Sequence, residues 1–239
     1  MGFFSFFSSA PSEKAINSQV TKAKEGYAQS EYRMAAMEKL LKWNTPESLL
    51  GLLERFCVVV QSLHWDQEEK KWLVEEIIKN QDNTKNLVID FILKKDEITH
   101  CLICIKKILS NDKEYIDLLK KALAAREPSN YRMVQSKKEL INELNQYYSE
   151  ELDDLVIPYL NDHSDDVQCL AISFLANSSN SKTHEELAKL LKSEEHSSRV
   201  LRTLALALLE KEILINGELA ESLRDEFVIN NNKIVRINH

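Results

Sequence analysis

One staggered triplet occurs three times in the chain. Tyr32, Ala36 and Leu40 form the first copy, Val167, Ala171 and Leu175 the second, and Leu201, Ala205 and Leu209 the third. Steps of four residues keep each triplet on one stripe of an α-helix. The small central residue lets a neighbouring helix approach to roughly 8–10 Å. A unit that recurs in this way predicts stacked helix pairs and argues against one closed core. The rest of the composition agrees. Only 4 Gly and 4 Pro occur among 239 residues, far below the average usage of about 7% and 5%. With helix breakers scarce, the chain reads as all-α. No apolar run reaches the ~18 residues that a membrane-spanning helix requires.

Periodicity and turn residues divide the chain further. Residues 1–18 read as an apolar Phe-rich segment and linker, 19–226 as the helical array, and 227–239 as a hairpin or tail. Helices are expected over 30–43, from Pro46, and over 66–80, 83–95, 98–110, 112–126, 132–148, 150–161, 165–177, 183–193, 197–212 and 217–226. Thr45 is placed to cap the helix that starts at Pro46, where a missing N–H costs nothing. Asp66 is expected to open the helix 66–80, and Asp165 or Asp166 the helix 165–177. Short polar turns make consecutive helices antiparallel neighbours. At the C-terminus, Phe227–Ile229 and Lys233–Ile237 flank three asparagines, the pattern of a small β-hairpin.

The clearest single unit runs from Leu155 to Leu175. It has an apolar helix with Pro158, the turn Asn161-Asp162-His163-Ser164, and a second helix with Val167, Ala171 and Leu175. This stretch resembles a HEAT repeat. Residues 197–209 resemble its second helix again. Residues 32–49, with Arg33 and the turn Asn44-Thr45-Pro46, resemble another junction. The resemblance covers about 210 residues and implies a right-handed α-solenoid of about five to six HEAT-like antiparallel helix pairs. The whole chain is also similar to bacterial HEAT-repeat proteins that open with a short Met-Gly-Phe-rich segment and carry no assigned activity. Residues 27–41 and Glu68-Glu69-Lys70-Lys71-Trp72 carry that likeness. HEAT repeats often place an Arg after the Val position, paired with an Asp in the preceding turn. Arg33 and Arg202 keep the Arg without that Asp, whereas Gln168 stands where the Asp-rich turn would want one. The ladder between repeats is therefore expected to be broken.

Chemistry is sparse. Cys101 and Cys104 spell a Cys-x-x-Cys but lie in an apolar helical stretch with no second pair, so they read as core thiols and not as a zinc or redox motif. All four cysteines are expected to be free and buried in a reducing, cytoplasmic setting. One His-Glu pair, His184-Glu185, cannot build the di-iron centre of deoxyhypusine hydroxylase, a HEAT-repeat enzyme. No Gly-rich phosphate loop or nucleophile elbow is present. No metal or cofactor is expected, and the three tryptophans, Trp43, Trp65 and Trp72, read as packing residues. Resemblance at the level of fold keeps phycobilin-lyase-like, DNA-glycosylase-like and nucleic-acid-binding alternatives open.

Charge is uneven. Residues 98–148 hold nine basic against six acidic side chains, and residues 149–239 hold nine against seventeen. The net charge of -7 disfavours a nucleic-acid backbone as main partner. Two features point to a partner protein. Lys106, Lys107, Arg132, Lys137 and Lys138 form a candidate basic strip. Phe3, Phe4, Phe6 and Phe7 suit docking on a protein groove, with shallow membrane contact or disorder as the other readings. The sequence thus favours a non-catalytic adaptor or scaffold.

Overall fold

The computed structural model describes residues 10–193, 195–215 and 218–237. Phe3, Phe4, Phe6 and Phe7 lie outside the described residues. The described chain holds twelve α-helices and one two-stranded antiparallel sheet. It divides into two compact units, Met1–Tyr115 and Ile116–His239. No helix among the described residues is long and apolar enough to cross a membrane.

The first unit contains α1 (Glu13–Ala23), α2 (Ser30–Trp43), α3 (Pro46–Leu53), α4 (Leu63–Lys79), α5 (Gln81–Lys94) and α6 (Thr99–Ile108). A 3₁₀ turn, Glu54–Cys57, extends α3. Helix α1 begins inside the stretch expected as linker. Ser12 accepts from the Ala15 N–H at 3.2 Å, and Glu13 sits in the first turn, so a cap and a favourable dipole charge start the helix early. The α2–α3 junction matches expectation. Asn44 takes the left-handed conformation with φ 53°, and Thr45 and Ser48 exchange reciprocal bonds in a capping box ahead of Pro46. Helix α4 starts three residues before the expected Asp66. Ser62 caps it, and Asp66 is turned inward.

The second unit contains α8 (Val134–Asn145), α9 (Asp153–Val156), α10 (Asp165–Leu175), α11 (Ser181–Leu190) and α12 (Ser198–Glu210). Helix α7 (Asp112–Ala124) runs across the division between the units. The expected helix 150–161 is broken into a 3₁₀ turn, the short α9 and a second 3₁₀ stretch, Ile157–Asn161. Pro158 has no N–H to give to an i−4 carbonyl, which explains the tightening there. Ser164, not Asp165 or Asp166, stands at the N-cap of α10. The expected helix 217–226 is reduced, among the described residues, to a 3₁₀ turn at Glu221–Leu223. The hairpin is present as β1 (Phe227–Asn230) and β2 (Lys233–Arg236), with Asn231 and Asn232 at φ 49° and 62° in the turn.

The triplets mark the core only in part. Val167, Ala171 and Leu175 are all buried on α10. On α12 the buried stripe is Leu201, Leu204, Ala205 and Leu208, with Leu209 half-buried. On α2, Ala36 and Leu40 are buried, but Tyr32 is 48% exposed and Arg33 takes its place in the interior. An arginine on the buried stripe is the first sign of how this unit is organised.

Gly51 of α3 lies where α1 crosses it. A Cβ there would collide with a Val20 methyl group. Val20 is β-branched and stiff, so α1 would have to shift. Overpacking of this kind costs about 1–3 kcal/mol, more than the ~1 kcal/mol of helix propensity that Ala gains over Gly. G51A is therefore expected to lower unfolding stability in urea by about 1 kcal/mol. In the V20A background the same change should become neutral or stabilising.

Candidate functional site

Helix α4 turns charged residues toward the protein interior. Asp66, Glu69 and Lys70 share its buried face with Leu73, Val74 and Ile77. Two arginines meet them, Arg33 from α2 and Arg55 from the 3₁₀ turn after α3, both essentially without solvent exposure. Glu69 is held between the two. Arg33 Nε donates to both Glu69 oxygens at 3.1 and 3.0 Å, and its Nη2 to Oε1 at 2.6 Å. Arg55 Nε and Nη2 donate to Oε2 at 3.2 and 2.8 Å. The Ser30 hydroxyl adds a bond to Oε1 at 2.7 Å. Asp66 accepts from Arg55 Nη2 at 2.8 Å, while Lys70 Nζ lies 2.8 Å from its other oxygen.

The network also fixes backbone. Arg33 Nη1 donates to the Glu25 and Ala28 carbonyls in the α1–α2 loop. Arg55 Nη1 donates to the Val58 carbonyl at 2.8 Å, and Asp66 accepts from the Val60 N–H at 3.2 Å. The two loops are joined directly by the Gln61 N–H to the Gly26 carbonyl at 3.2 Å. Above this base lies a 330 Å³ cavity bordered by Gly26, Gln29, Arg33, Gln61, Ser62 and Trp65. Large apolar side chains stand out from the same loops and the first turn of α4. Tyr27 is 86% exposed, Val59 68%, Leu63 67% and Trp65 46%.

Electrostatics follow from burial and pairing. Burial alone would raise the Glu69 pKa, but the bonds from Arg33, Ser30 and Arg55 outweigh it and hold the carboxyl below its ordinary value. Asp66 behaves alike, with Lys70, Arg55 and the Val60 N–H overcoming burial. His100, at the start of α6, stacks on Phe56 with centroids 5.1 Å apart and planes 8° from parallel. Its Nδ1 is buried with no hydrogen-bond partner among the described residues. Burial, aided by the Lys70 charge, lowers its pKa.

The residues singled out in the sequence are scattered. Lys106 and Lys107 lie exposed on α6 in the first unit, with Lys106 over the Tyr115 ring. Arg132 is exposed in the second unit beside Tyr131, and Lys138 is half-buried against Asp166 at 3.1 Å. Lys137 is not a surface residue, contrary to the expected strip. It is fully buried, paired with Asp162 and donating to the Pro128 and Asn130 carbonyls at 3.1 Å. Gln168 donates to the Asp162 carbonyl at 2.6 Å. Arg202 is exposed and bonds to Glu226. Cys101 and Cys104 are buried as expected, and burial pushes the Cys104 thiol up to about 12. Cys57 is exposed and Cys169 half-buried, against expectation. His184 is half-buried, with Nε2 2.7 Å from the Ser178 carbonyl. No group of three potential metal ligands occurs among the described residues.

The burial and pairing of Glu69, Arg55, Asp66 and Lys70 escaped the sequence reading. Their signal was present in the spacing Asp66, Glu69/Lys70, Leu73, Ile77, which puts charges on the apolar stripe of α4. No protein-family model matches the chain, and neither a curated protein nor a solved structure gives a match.

Removing Glu69 leaves two buried guanidinium groups facing each other. E69A is expected to cost about 3–5 kcal/mol in urea unfolding, whereas E31A, on the exposed face of α2, should change stability by under ~0.5 kcal/mol.

The pH dependence has two parts with the same sign. His100 is neutral in the fold with a lowered pKa, so the unfolded chain binds its proton first and stability falls once pH drops through about 6.5. Glu69 and Asp66 have lowered folded pKa values, so their contribution is full above about 4 and is lost as pH falls through the folded values. Melting curves from pH 8 to 3 should show both losses. H100F should abolish the earlier one and leave the acid one in place.

Proposed function

We propose that the chain is a non-catalytic, HEAT-like α-solenoid of five to six helix pairs that binds a partner protein. The binding surface in this reading is the rim of Tyr27, Val59, Leu63 and Trp65. What supports it above all is the exposure of large apolar side chains on loops that buried ion pairs hold from beneath. Exposed apolar clusters mark interaction surfaces, and aromatic residues dominate the energetics of such surfaces. Rigid loops lose little further entropy on binding, which favours affinity. The polar cavity beside Trp65 gives room for one side chain of the partner, next to the Ser62 hydroxyl and the first turn of α2. The Asn44-Thr45-Pro46 junction and the buried Val167-Ala171-Leu175 stripe support the repeat assignment. The four N-terminal phenylalanines remain a second docking element in this proposal.

Photo-crosslinking from position 65 in the native cells, followed by mass spectrometry, should return a specific protein. The double variant L63A/W65A should then weaken binding of that protein at least tenfold, about 1.4 kcal/mol. Its melting temperature should stay within about 2 °C of the parent, because both side chains are exposed. Unaltered binding in the double variant would refute the assignment of the rim.

A further inference from the structure

One ring nitrogen is buried where an extra proton has no place. His100 lies in the first turn of α6, flat against Phe56 with centroids 5.1 Å apart. Phe56 is itself buried and directly follows Arg55 in the 3₁₀ turn. The buried Nδ1 of His100 has no hydrogen-bond partner among the described residues. A neutral ring with its one proton on Nε2 leaves Nδ1 as an unused acceptor. A protonated ring carries an N–H on both nitrogens. The Nδ1–H is then a buried charged donor with nothing to receive it, which costs more than a neutral unsatisfied group.

The charges around the ring add to that cost. Those acting on it are Lys70 and Asp66 on α4, Arg55 in the 3₁₀ turn and Glu97 just before α6. Asp66 is already committed to Arg55, Lys70 and the Val60 N–H. Glu97 is only half-buried, so water weakens its pull. The buried network holds three cations, Arg33, Arg55 and Lys70, against two carboxylates, Asp66 and Glu69. It has one positive charge in excess before His100 is counted. A fourth cation packed on Phe56 would meet Lys70 and Arg55 with neither carboxylate of the network free to neutralise it.

We infer that His100 is an acid-operated latch on the loop 58–61. Uncharged, it backs Phe56 and keeps the 3₁₀ turn seated. Protonated, the ring leaves Phe56 for water and the turn loosens. Arg55 Nη1 then loses the Val58 carbonyl, and Asp66, which Arg55 and Lys70 fix, loses the Val60 N–H. The Gln61 N–H comes away from the Gly26 carbonyl with them. Glu69 keeps Arg33 of α2, so α2 and α4 stay joined while the loop lets go. The release is local and precedes unfolding of the whole unit. Val59 of the rim lies in this loop, so loss of partner binding in acid rests on the rim reading; the latch itself does not.

The test uses the full chain. Between about pH 7.5 and 5.5, an open form with an ordinary histidine, titrating near 6.5, gains about tenfold on a closed form that excludes the proton. Native-state hydrogen exchange by NMR, corrected for the intrinsic pH dependence, should therefore show the protection of the Val60 and Gln61 amides falling about tenfold over that range. Low concentrations of urea should not change their exchange, because the loop opens without exposing the core. Helical circular dichroism should stay the same. H100F and H100Q carry no proton at either pH, and in both the two protections should stay level. His64, exposed at the start of α4, is intact in both variants, so its own titration cancels. If one variant fails to fold, the other decides. Level protection in the parent overturns the inference, as does an equal fall in the variants. Exchange of the two amides that rises steeply with urea overturns it too, since the proton would then act only through unfolding of the whole unit. Loop opening in acid supports the latch even where a protein captured from position 65 still binds; that second result counts against the rim alone.

Discussion

A carboxylate held between two guanidinium groups organises the first unit. Glu69 receives Arg33 on one side and Arg55 on the other, and the two arginines use their remaining N–H groups on loop carbonyls. Such a network is a poor source of net stability. Desolvating five charges costs as much as their attraction returns, and apolar replacements of the same shape often fold as well or better. What it supplies is position. Each charge has one geometry in which it is satisfied, so α2, the turn after α3 and α4 have one arrangement in which none is stranded. The two loops at that end are fixed as a result, and the apolar side chains they carry are presented without the freedom loops usually keep.

The second unit reaches a similar end by other residues. Lys137 and Asp162 are both fully buried, and the lysine also binds the Pro128 and Asn130 carbonyls. Asp162 caps the turn by accepting from the Ser164 N–H, while Gln168 binds its carbonyl from α10. Asp153 plays the same part further on, accepting from Ser178 and Thr183. In each case one buried acid gathers donors from neighbouring elements. The donors differ from place to place: Arg around Glu69, Lys at Asp162, Ser and Thr at Asp153.

That variation sets what could be read from the sequence. Thr45-Pro46, the α10 stripe and the Asn-rich hairpin were legible because each depends on local chemistry: a cap, a helical period, a left-handed turn. Tyr32 was misassigned to the core because a four-residue step fits an aromatic as well as it fits the arginine beside it. The buried face of α2 runs through Arg33, and only a partner 36 residues away makes that affordable. Lys137 was misread for the same reason. A lysine on an amphipathic helix looks exposed until the acid that neutralises it is known, and Asp162 lies 25 residues downstream. The expected helix 217–226 rested on local pattern alone, and the chain there is drawn into the Ala220–Leu191 and Ile237–Glu226 backbone bonds instead. The candidate site was almost entirely hidden, since its base consists of long-range ion pairs and its rim of residues that look like ordinary packing side chains.

The rim exposes apolar groups that water serves badly. A chain with 29% charged residues has ample means to cover such places, and it does so elsewhere. Lys233 and Arg236 guard β2, and Lys39 lies over the Trp43 ring. At the rim the charges are instead drawn inward, beneath the apolar residues. Placing the ionic groups under the surface makes the surface rigid while leaving it apolar. A rigid apolar surface loses little entropy when something docks on it, and that is the physical reason for proposing the rim as a binding surface.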